Sequence, residues 1–177
     1  VEELISSYAK AVNKTGLAIP LIIIGDGEER EALESLVERL HIGKLITFKG
    51  ALVDSLELST YYSKALACIS PGQAGLTVLS SMANSVPFIT RKDAITGGEI
   101  FNINMGKNST GVVYTKSHEL VDLLCDINSN RQKYVEMGQS ARKYYLTYRS
   151  PKNMVDSIIK AINYVSEDPK KVTQNHE

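Results

Sequence analysis

The sequence contains few of the residues that usually form metal sites. Only two cysteines and three histidines occur among its 177 residues. There is also no Asp-x-Asp pair, and the histidines and cysteines are scattered rather than clustered. Clustered ligands of these types are the usual sequence signs of a bound metal. We therefore expect no metal site and no metal cofactor.

Neither charge nor hydropathy points to nucleic acid or to a membrane span. Twenty basic residues balance twenty acidic ones, so no basic surface for nucleic acid is expected. No apolar run has the length of a membrane span, and no signal peptide is visible. Cys68 lies in a predicted core strand and Cys125 on an apolar helix face. Buried thiols of this kind are typical of a reducing compartment, so a cytoplasmic location is expected.

Short apolar runs alternate with amphipathic patterns along the chain. Strands are predicted at residues 21–24, 45–49, 66–69, 86–90 and 111–115. Helices are predicted at 1–15, 28–40, 55–63, 76–83, 117–127, 131–146 and from 150 onward. The first helical pattern begins at Val1 without a cap. We therefore expect the chain to begin inside an element whose preceding strand is absent.

This alternation predicts an α/β fold. Strands separated by helices form parallel sheets with right-handed crossovers. The expected architecture is a Rossmann-like, doubly wound parallel sheet of about six strands, counting the absent first one. Helices cover both faces, and the C-terminal helices pack at one end. Residues 1–165 form one domain in this interpretation, and 166–177 form a polar C-terminal tail.

The most informative stretch is residues 66–90, LACISPGQAGLTVLSSMANSVPFIT. It predicts a strand, a turn containing Gly72 and Gly75, a helix and a further strand. In an open parallel sheet such a turn lies at the carboxyl end of a strand, where ligands bind. Unpaired amides there favour a phosphate. Alternatively, the two glycines only make a tight connection.

A loop of about twenty residues follows the fourth strand and contains Gly97-Gly98-Glu99. Loops of this length are uncommon inside compact domains and more often carry function.

Together these segments resemble the C-terminal domain of group 1 glycosyltransferases, glycosyltransferase family 4 of the GT-B fold. The resemblance rests on LIIIGDGEE, ITFKGAL, SPGQAGLTVLSSMANSVPFIT, the Gly97-Gly98-Glu99 loop, GVVYT and RQKYVEMGQSARKYY, in that order. It implies a hexosyltransferase that binds a UDP-sugar or a GDP-sugar in this domain. The acceptor, a glycan or a lipid-linked glycan, would bind an N-terminal domain absent here. The chain would then be inactive alone, and the enzyme could lie at the inner membrane face.

The resemblance also implies which residues bind the donor. Gly25, Asp26 and Gly27 would line the edge of the donor cleft. The loop after the second strand would meet the nucleotide base, and the Gly-rich turn would hold the diphosphate and the sugar. The residues of that loop and turn are Gly50, Ala51, Leu52, Gly72, Gln73, Ala74, Gly75, Leu76, Thr77 and Ser80.

Two departures from the family pattern raise a question about catalysis. Most members have two glutamates flanking the turn, and Gly72 and Ser80 stand at those positions here. Glu99 is therefore a candidate catalytic residue that could supply the missing carboxylate, or else an exposed loop acid. The usual glycine before the next strand is replaced by Ser85, so Asn84 is predicted to take the left-handed cap. A degenerate, non-catalytic nucleotide-sugar-binding module and a nucleotide-sugar epimerase remain alternative interpretations.

Overall fold

The computed structural model describes residues 1–167, and its helices and strands alternate as predicted. The helices are α1 (Glu2–Thr15), α2 (Arg30–Arg39), α3 (Ser55–Tyr62), α4 (Thr77–Ala83), α5 (Ser117–Ser129), α6 (Arg131–Tyr148) and α7 (Pro151–Glu167). The strands are β1 (Leu21–Ile23), β2 (Ile46–Phe48), β3 (Cys68–Ile69), β4 (Phe88–Arg91) and β5 (Gly111–Tyr114). The predicted polar tail begins within α7, and its residues 168–177 lie outside the described part.

The strands form two parallel sheets. β1 pairs with β2, with Leu21 opposite Ile46. β4 lies between β3 and β5, with Phe88 opposite Cys68 on one side and Gly111 on the other. The parallel α/β class is therefore confirmed, although the strands do not join into one continuous sheet.

The first strand is more exposed than a run of four aliphatic residues indicates. Ile22 is 42% exposed and Ile24 is 37% exposed. Among the described residues, β1 pairs with β2 alone, so one of its edges has no neighbouring strand. The third strand is also shorter than predicted, since only residues 68 and 69 are extended.

Alternate residues of β4 point to opposite faces of their sheet, as the period of a strand requires. Ile89 packs into a core cluster with residues of α1 and α5. Phe88 packs into a second cluster with Val78 and Met82 of α4 and Ala141 of α6. Helices therefore cover both faces of this sheet, which is the doubly wound arrangement.

The helix ends follow from local sequence. Gly16, at φ +65°, caps the end of α1, as glycine does because it lacks a Cβ. Asp54 caps α3 by accepting hydrogen bonds from the amides of Leu56 and Glu57. The charged pair Glu28 and Glu29, predicted inside the first turn of α2, instead precedes that helix.

The prediction of a left-handed Asn84 is also wrong. Ser85 takes the left-handed conformation at φ +62°, and Asn84 has φ −98°. The Asn84 side chain donates from Nδ2 to the Ser80 carbonyl oxygen at 2.8 Å. The Asn84 backbone amide still bonds the Ser80 carbonyl oxygen, and the Val86 amide bonds the Ser81 carbonyl oxygen at 3.0 Å, so the helical turn includes Asn84 and the reversal falls at Ser85.

Helix α7 presents a row of large apolar side chains to solvent. Each of these side chains is 46–61% exposed: Met154, Val155, Ile158, Ile159, Ile162, Tyr164 and Val165.

Candidate functional site

The first group of predicted site residues lies where β1 and β2 end. The amide of Gly25 donates to the carbonyl oxygen of Gly50 at 2.8 Å, which joins the two loops. Gly25 has φ +135° and Gly50 has φ +70°, conformations that glycine adopts without a Cβ penalty. Asp26 and Gly27 follow in the first loop, and both are exposed.

The second loop of this group contains Ala51, which is exposed, and Leu52, which is half-buried. Arg30, at the start of α2, lies above the Phe48 ring at 6.0 Å and 3.8 Å from Asp26. This arginine supports the first loop from the side of the helix.

The second group is the Gly-rich turn between β3 and α4. A segment of the long loop runs beside it and forms a parallel bridge between Gln73 and Ile95. The Ile95 amide donates to the Gly72 carbonyl oxygen at 3.0 Å, and the Ala74 amide donates to the Ile95 carbonyl oxygen at 2.8 Å. Ala74 is fully buried. The turn is therefore fixed at its centre by a neighbouring backbone.

Three consecutive amides of this turn face no acceptor. Among the described residues, the N–H groups of Gly75, Leu76 and Thr77 donate to no other group, whereas the Val78 amide bonds the Gly75 carbonyl oxygen at 2.9 Å. Leu76 is 72% exposed. A Cβ built on Gly72 would meet no atom within 4 Å. The turn therefore offers three unpaired backbone hydrogen-bond donors beside open space.

Ser80 stands one turn along α4 from these amides. Its side chain is exposed, and its hydroxyl donates to the Leu76 carbonyl oxygen at 3.3 Å. Gly72 offers no side chain at all. The two positions at which the resemblance implies glutamates therefore provide one hydroxyl and open space.

Glu99 lies in the long loop and is bonded within it. Its Oε2 atom accepts from the Gly97 amide at 2.9 Å and from the Thr96 hydroxyl at 3.3 Å. Glu99 begins a short 3-10 turn, Glu99–Asn102. Because Ile95 forms a bridge with Gln73, the segment from Thr96 to Glu99 directly follows a residue that is paired with the second group. The catalytic role of Glu99 stays a prediction.

Sequence reasoning missed Thr96 and Ile95. Thr96-Gly97-Gly98-Glu99 has the Thr-x-x-Glu spacing of a capping box, but the bonds differ from that motif, since Gly98 is the N-cap of the 3-10 turn and no side chain caps it. The bridge formed by Ile95 has no comparable signal, because pairing between distant segments depends on the folded topology.

Arg91, at the end of β4, is tied to the first turn of α1. Its guanidinium lies 2.7 Å from Glu3 and 2.5 Å from Asp93. The Tyr114 hydroxyl donates to Glu3 at 3.2 Å, and burial followed by the Glu3 charge raises the pKa of Tyr114. Arg91 is therefore part of a polar network that connects α1 to two strands, rather than an isolated surface charge.

The structure does not connect the two groups directly. In residues 1–167, no hydrogen bond, ion pair or bridge joins residues 25–27 and 50–52 to residues 72–80.

No set of three or more His, Cys, Asp or Glu residues in residues 1–167 could hold a metal ion. Within the same range, no helix combines the length and apolar character needed to span a bilayer.

Comparison with known proteins identifies relatives of this chain. Residues 1–144 match the family model described as glycosyl transferases group 1. The alpha-monoglucosyldiacylglycerol synthase of Acholeplasma laidlawii is 31% identical over 123 residues, which are 68% of this chain and 29% of that protein. The N-acetyl-alpha-D-glucosaminyl L-malate synthase of Bacillus anthracis is 28% identical over 158 residues, 86% of this chain and 39% of that protein.

Solved structures share the fold. A variant of S. aureus TarM, in complex with fondaparinux, alpha-GlcNAc-glycerol and UDP, superposes with a TM-score of 0.74 at 19% identity. The match covers 89% of this chain and 31% of that one. The chain thus spans well under half the length of the curated relatives. On the family match over most of its length, the chain belongs to the group 1 glycosyltransferases and has the fold of the C-terminal domain of a GT-B enzyme.

Proposed function

We propose that this chain binds a nucleotide-diphospho-sugar and presents it for transfer of the sugar to a glycan or lipid-linked acceptor. The observation that carries the proposal is the row of unpaired amides at Gly75, Leu76 and Thr77 beside the side-chain-free Gly72. Backbone N–H groups that converge on open space are a common way to bind phosphate oxygens.

The same amides suit the chemistry of glycosyl transfer. When the sugar leaves, negative charge accumulates on the departing nucleoside diphosphate. Fixed hydrogen-bond donors placed around that charge stabilise the transition state without reorganising. In this proposal the donors are backbone groups, so the function survives the absence of glutamates at Gly72 and Ser80.

UDP is the proposed nucleotide. The similar TarM structure contains UDP, and the two curated relatives are named for the transfer or attachment of glucosyl and glucosaminyl groups. In this proposal the loops at Gly25–Gly27 and Gly50–Leu52 border the nucleoside end. The acceptor would bind a part of the enzyme outside this chain, and an acceptor held in lipid would bring the enzyme to a membrane surface.

A nuclear magnetic resonance titration of the ¹⁵N-labelled chain with UDP tests the proposal. We expect the amide signals of Gly75, Leu76 and Thr77 to shift progressively on addition of millimolar UDP. GDP is titrated separately as the alternative nucleotide. A titration that shifts other amides but leaves these three in place would refute the assignment.

Two glycine variants make the test specific. Gly72→Leu adds a side chain in open space beside the turn, so the chain should fold normally and lose UDP binding. Gly43→Ala is the matched control, since its Cβ would lie at an ordinary 3.9 Å from Val37 Cγ1, away from the turn. Equal UDP affinity in both variants would contradict the proposed position of the diphosphate.

A second candidate function is a non-catalytic nucleotide-sugar-binding module. The absence of both family glutamates, at Gly72 and Ser80, favours it. Donor hydrolysis separates the two candidates. A protein containing this chain and its acceptor-binding part should slowly hydrolyse the bound UDP-sugar if it is a transferase, whereas a module should bind the sugar nucleotide and leave it intact.

A further inference from the structure

We propose that Glu99 is a positioning residue that, with Thr96, holds Ile95 against the Gly-rich turn and so fixes the conformation in which the turn presents its free amides. The inference rests on the proposed donor site for its functional meaning. In this arrangement Glu99 acts through the backbone of the loop and not through contact with the sugar.

First, the side chains of Thr96 and Glu99 bond to each other and to the amides of the loop between and after them. The Thr96 hydroxyl donates to Glu99 Oε2 at 3.3 Å and accepts from the amides of Gly98 at 3.1 Å and Ile100 at 3.3 Å. Glu99 Oε2 also accepts from the Gly97 amide at 2.9 Å. Two side chains thus satisfy three loop amides that would otherwise depend on solvent.

The second step is the anchoring of this set to the core. Ala94, on one side of it, is buried, and Ile100, on the other, packs against the cluster that contains Ala74 and Val78. Gly98 adopts φ +119°, which a residue with a Cβ rarely does. The loop between two core contacts therefore has one compact path, and the Thr96–Glu99 bonds close it.

The third step is the bond between this loop and the turn. Ile95 directly precedes Thr96, and its backbone bonds Gly72 on one side and Ala74 on the other, at 3.0 and 2.8 Å. These two bonds hold the Gly72–Gln73 and Gln73–Ala74 peptide planes, which precede the plane that carries the Gly75 N–H. The loop thus restrains the backbone from which the free amides extend.

Hydrogen exchange in the chain without ligand tests this inference. We expect Glu99→Ala to raise the exchange rates of the Ala74 and Ile95 amides by about threefold to tenfold, because the loop that fixes them loses its closing bonds. Glu99→Gln should keep exchange close to wild type, since its amide oxygen can still accept from Gly97. Glu119→Ala is the control, because Glu119 makes a similar bond, to the Thr115 amide at 2.8 Å, elsewhere.

UDP affinity of the same variants supplies the functional readout. Glu99→Ala should weaken UDP binding by a similar factor, and Glu99→Gln should restore it. Unchanged exchange in Glu99→Ala would overturn the inference, and so would a Glu99→Gln variant that exchanges normally yet binds UDP as weakly as the alanine variant. If the wild-type chain binds no UDP, the proposed donor site fails, while the exchange rates still decide whether Glu99 holds the turn.

Discussion

Gly138 of α6 lies directly over the carbonyl oxygen of Ser85. A Cβ built on Gly138 would overlap the Ser85 carbonyl and come within 3.3 Å of Pro87 Cδ. Arg142, one turn further along α6, donates to the Ala83 carbonyl oxygen. Helix α6 thus packs against the chain reversal that ends α4 and leads into β4.

Gly138→Ala should therefore destabilise the chain. Backbone atoms of Ser85 cannot move aside as a flexible side chain would, so α6 must shift, at a cost of about 1–3 kcal/mol. Urea unfolding followed by circular dichroism measures the change. Gln139→Ala, at the exposed next position, is the control and should change the free energy of unfolding little. Equal stability of the two variants would contradict the close approach.

Glu3→Ala should also destabilise the chain. It removes the partner of Arg91 at 2.7 Å and of the Tyr114 hydroxyl at 3.2 Å in a partly buried position. The expected cost is about 1–2 kcal/mol, because the Tyr114 hydroxyl loses its acceptor and Arg91 loses one of its two carboxylate partners. Urea unfolding measures the change, and Glu2→Ala, exposed at the adjacent position, should be close to neutral in the same experiment. A neutral Glu3→Ala variant would show that solvent replaces the network fully.

The Cys68 thiol should react slowly in the folded chain. Burial raises its pKa to about 11, while hydrogen bonds with Tyr62 and Ser81 lower it by a smaller amount. Because the thiolate is the reactive form, labelling by a disulfide reagent at pH 8 should be slow in a Cys125→Ser variant and fast after unfolding in urea. Rapid labelling of the folded variant would contradict the burial.

The same shift predicts a loss of stability at alkaline pH. The folded-state pKa of Cys68 lies above the unfolded-state value. The contribution of the protonated thiol to the free energy of unfolding is therefore complete below about pH 9 and is lost as the pH rises toward about 11. Urea midpoints at pH 8 and pH 10.5 should therefore differ more for the wild type than for Cys68→Ala.

Asp126 should contribute stability that is lost in acid. Burial works to raise its pKa, but hydrogen bonds from Lys133, Tyr134 and Asn130 outweigh it and lower the pKa. A lowered pKa stabilises the fold above the unfolded-state pKa and ceases to do so as pH falls through the folded-state value. Asp126→Asn should cost about 1–3 kcal/mol at pH 7 and less at pH 3.

Asp122→Asn is the control for this prediction. Asp122 pairs with Lys14 at 2.9 Å, but both side chains are mostly exposed, at 63% and 59%. Exposed pairs of this kind contribute little to stability, because solvent screens their charges. The same loss at pH 3 and pH 7 for Asp126→Asn would contradict a role for its charge.

Ser80→Glu should strengthen nucleotide binding if the resemblance to the family holds at this position. It introduces the carboxylate that the resemblance to the family implies at this position, where it would contact the ribose hydroxyls. Ser129→Glu is the matched control, because Ser129 is also exposed and also bonds the carbonyl four residues before it, at 3.1 Å. Calorimetry with UDP should show tighter binding for Ser80→Glu alone, and equal affinity of the two variants would place the ribose elsewhere.

Element order was predictable because each element carries its own local signal. Gly16 ends α1 and Asp54 starts α3 for reasons contained in a few neighbouring residues. The choice of Ser85 over Asn84 for the left-handed position was not predictable in this way. It depends on which groups α6 and the end of α4 offer in space, and these are contacts over more than fifty residues of chain.

The strand, turn and helix around Gly72 and Gly75 were predictable from the sequence, but the hydrogen bonds that hold the turn were not. Gly72 and Gly75 identify the turn from sequence, whereas the Thr96–Glu99 contact lies in the long loop, where no regular pattern predicts it. The bridge from Gln73 to Ile95 brings these two segments together. Such a bridge is set by the loop path and by burial of Ala94, neither of which has a sequence period.

The seat of Gly138 on Ser85 has a consequence for how this part of the chain can evolve. Residues 72–94 are held by hydrogen bonds to Ile95 at the Gly-rich turn and by α6 at Ser85, so their number is constrained. One inserted or deleted residue would put α4 out of register with both supports.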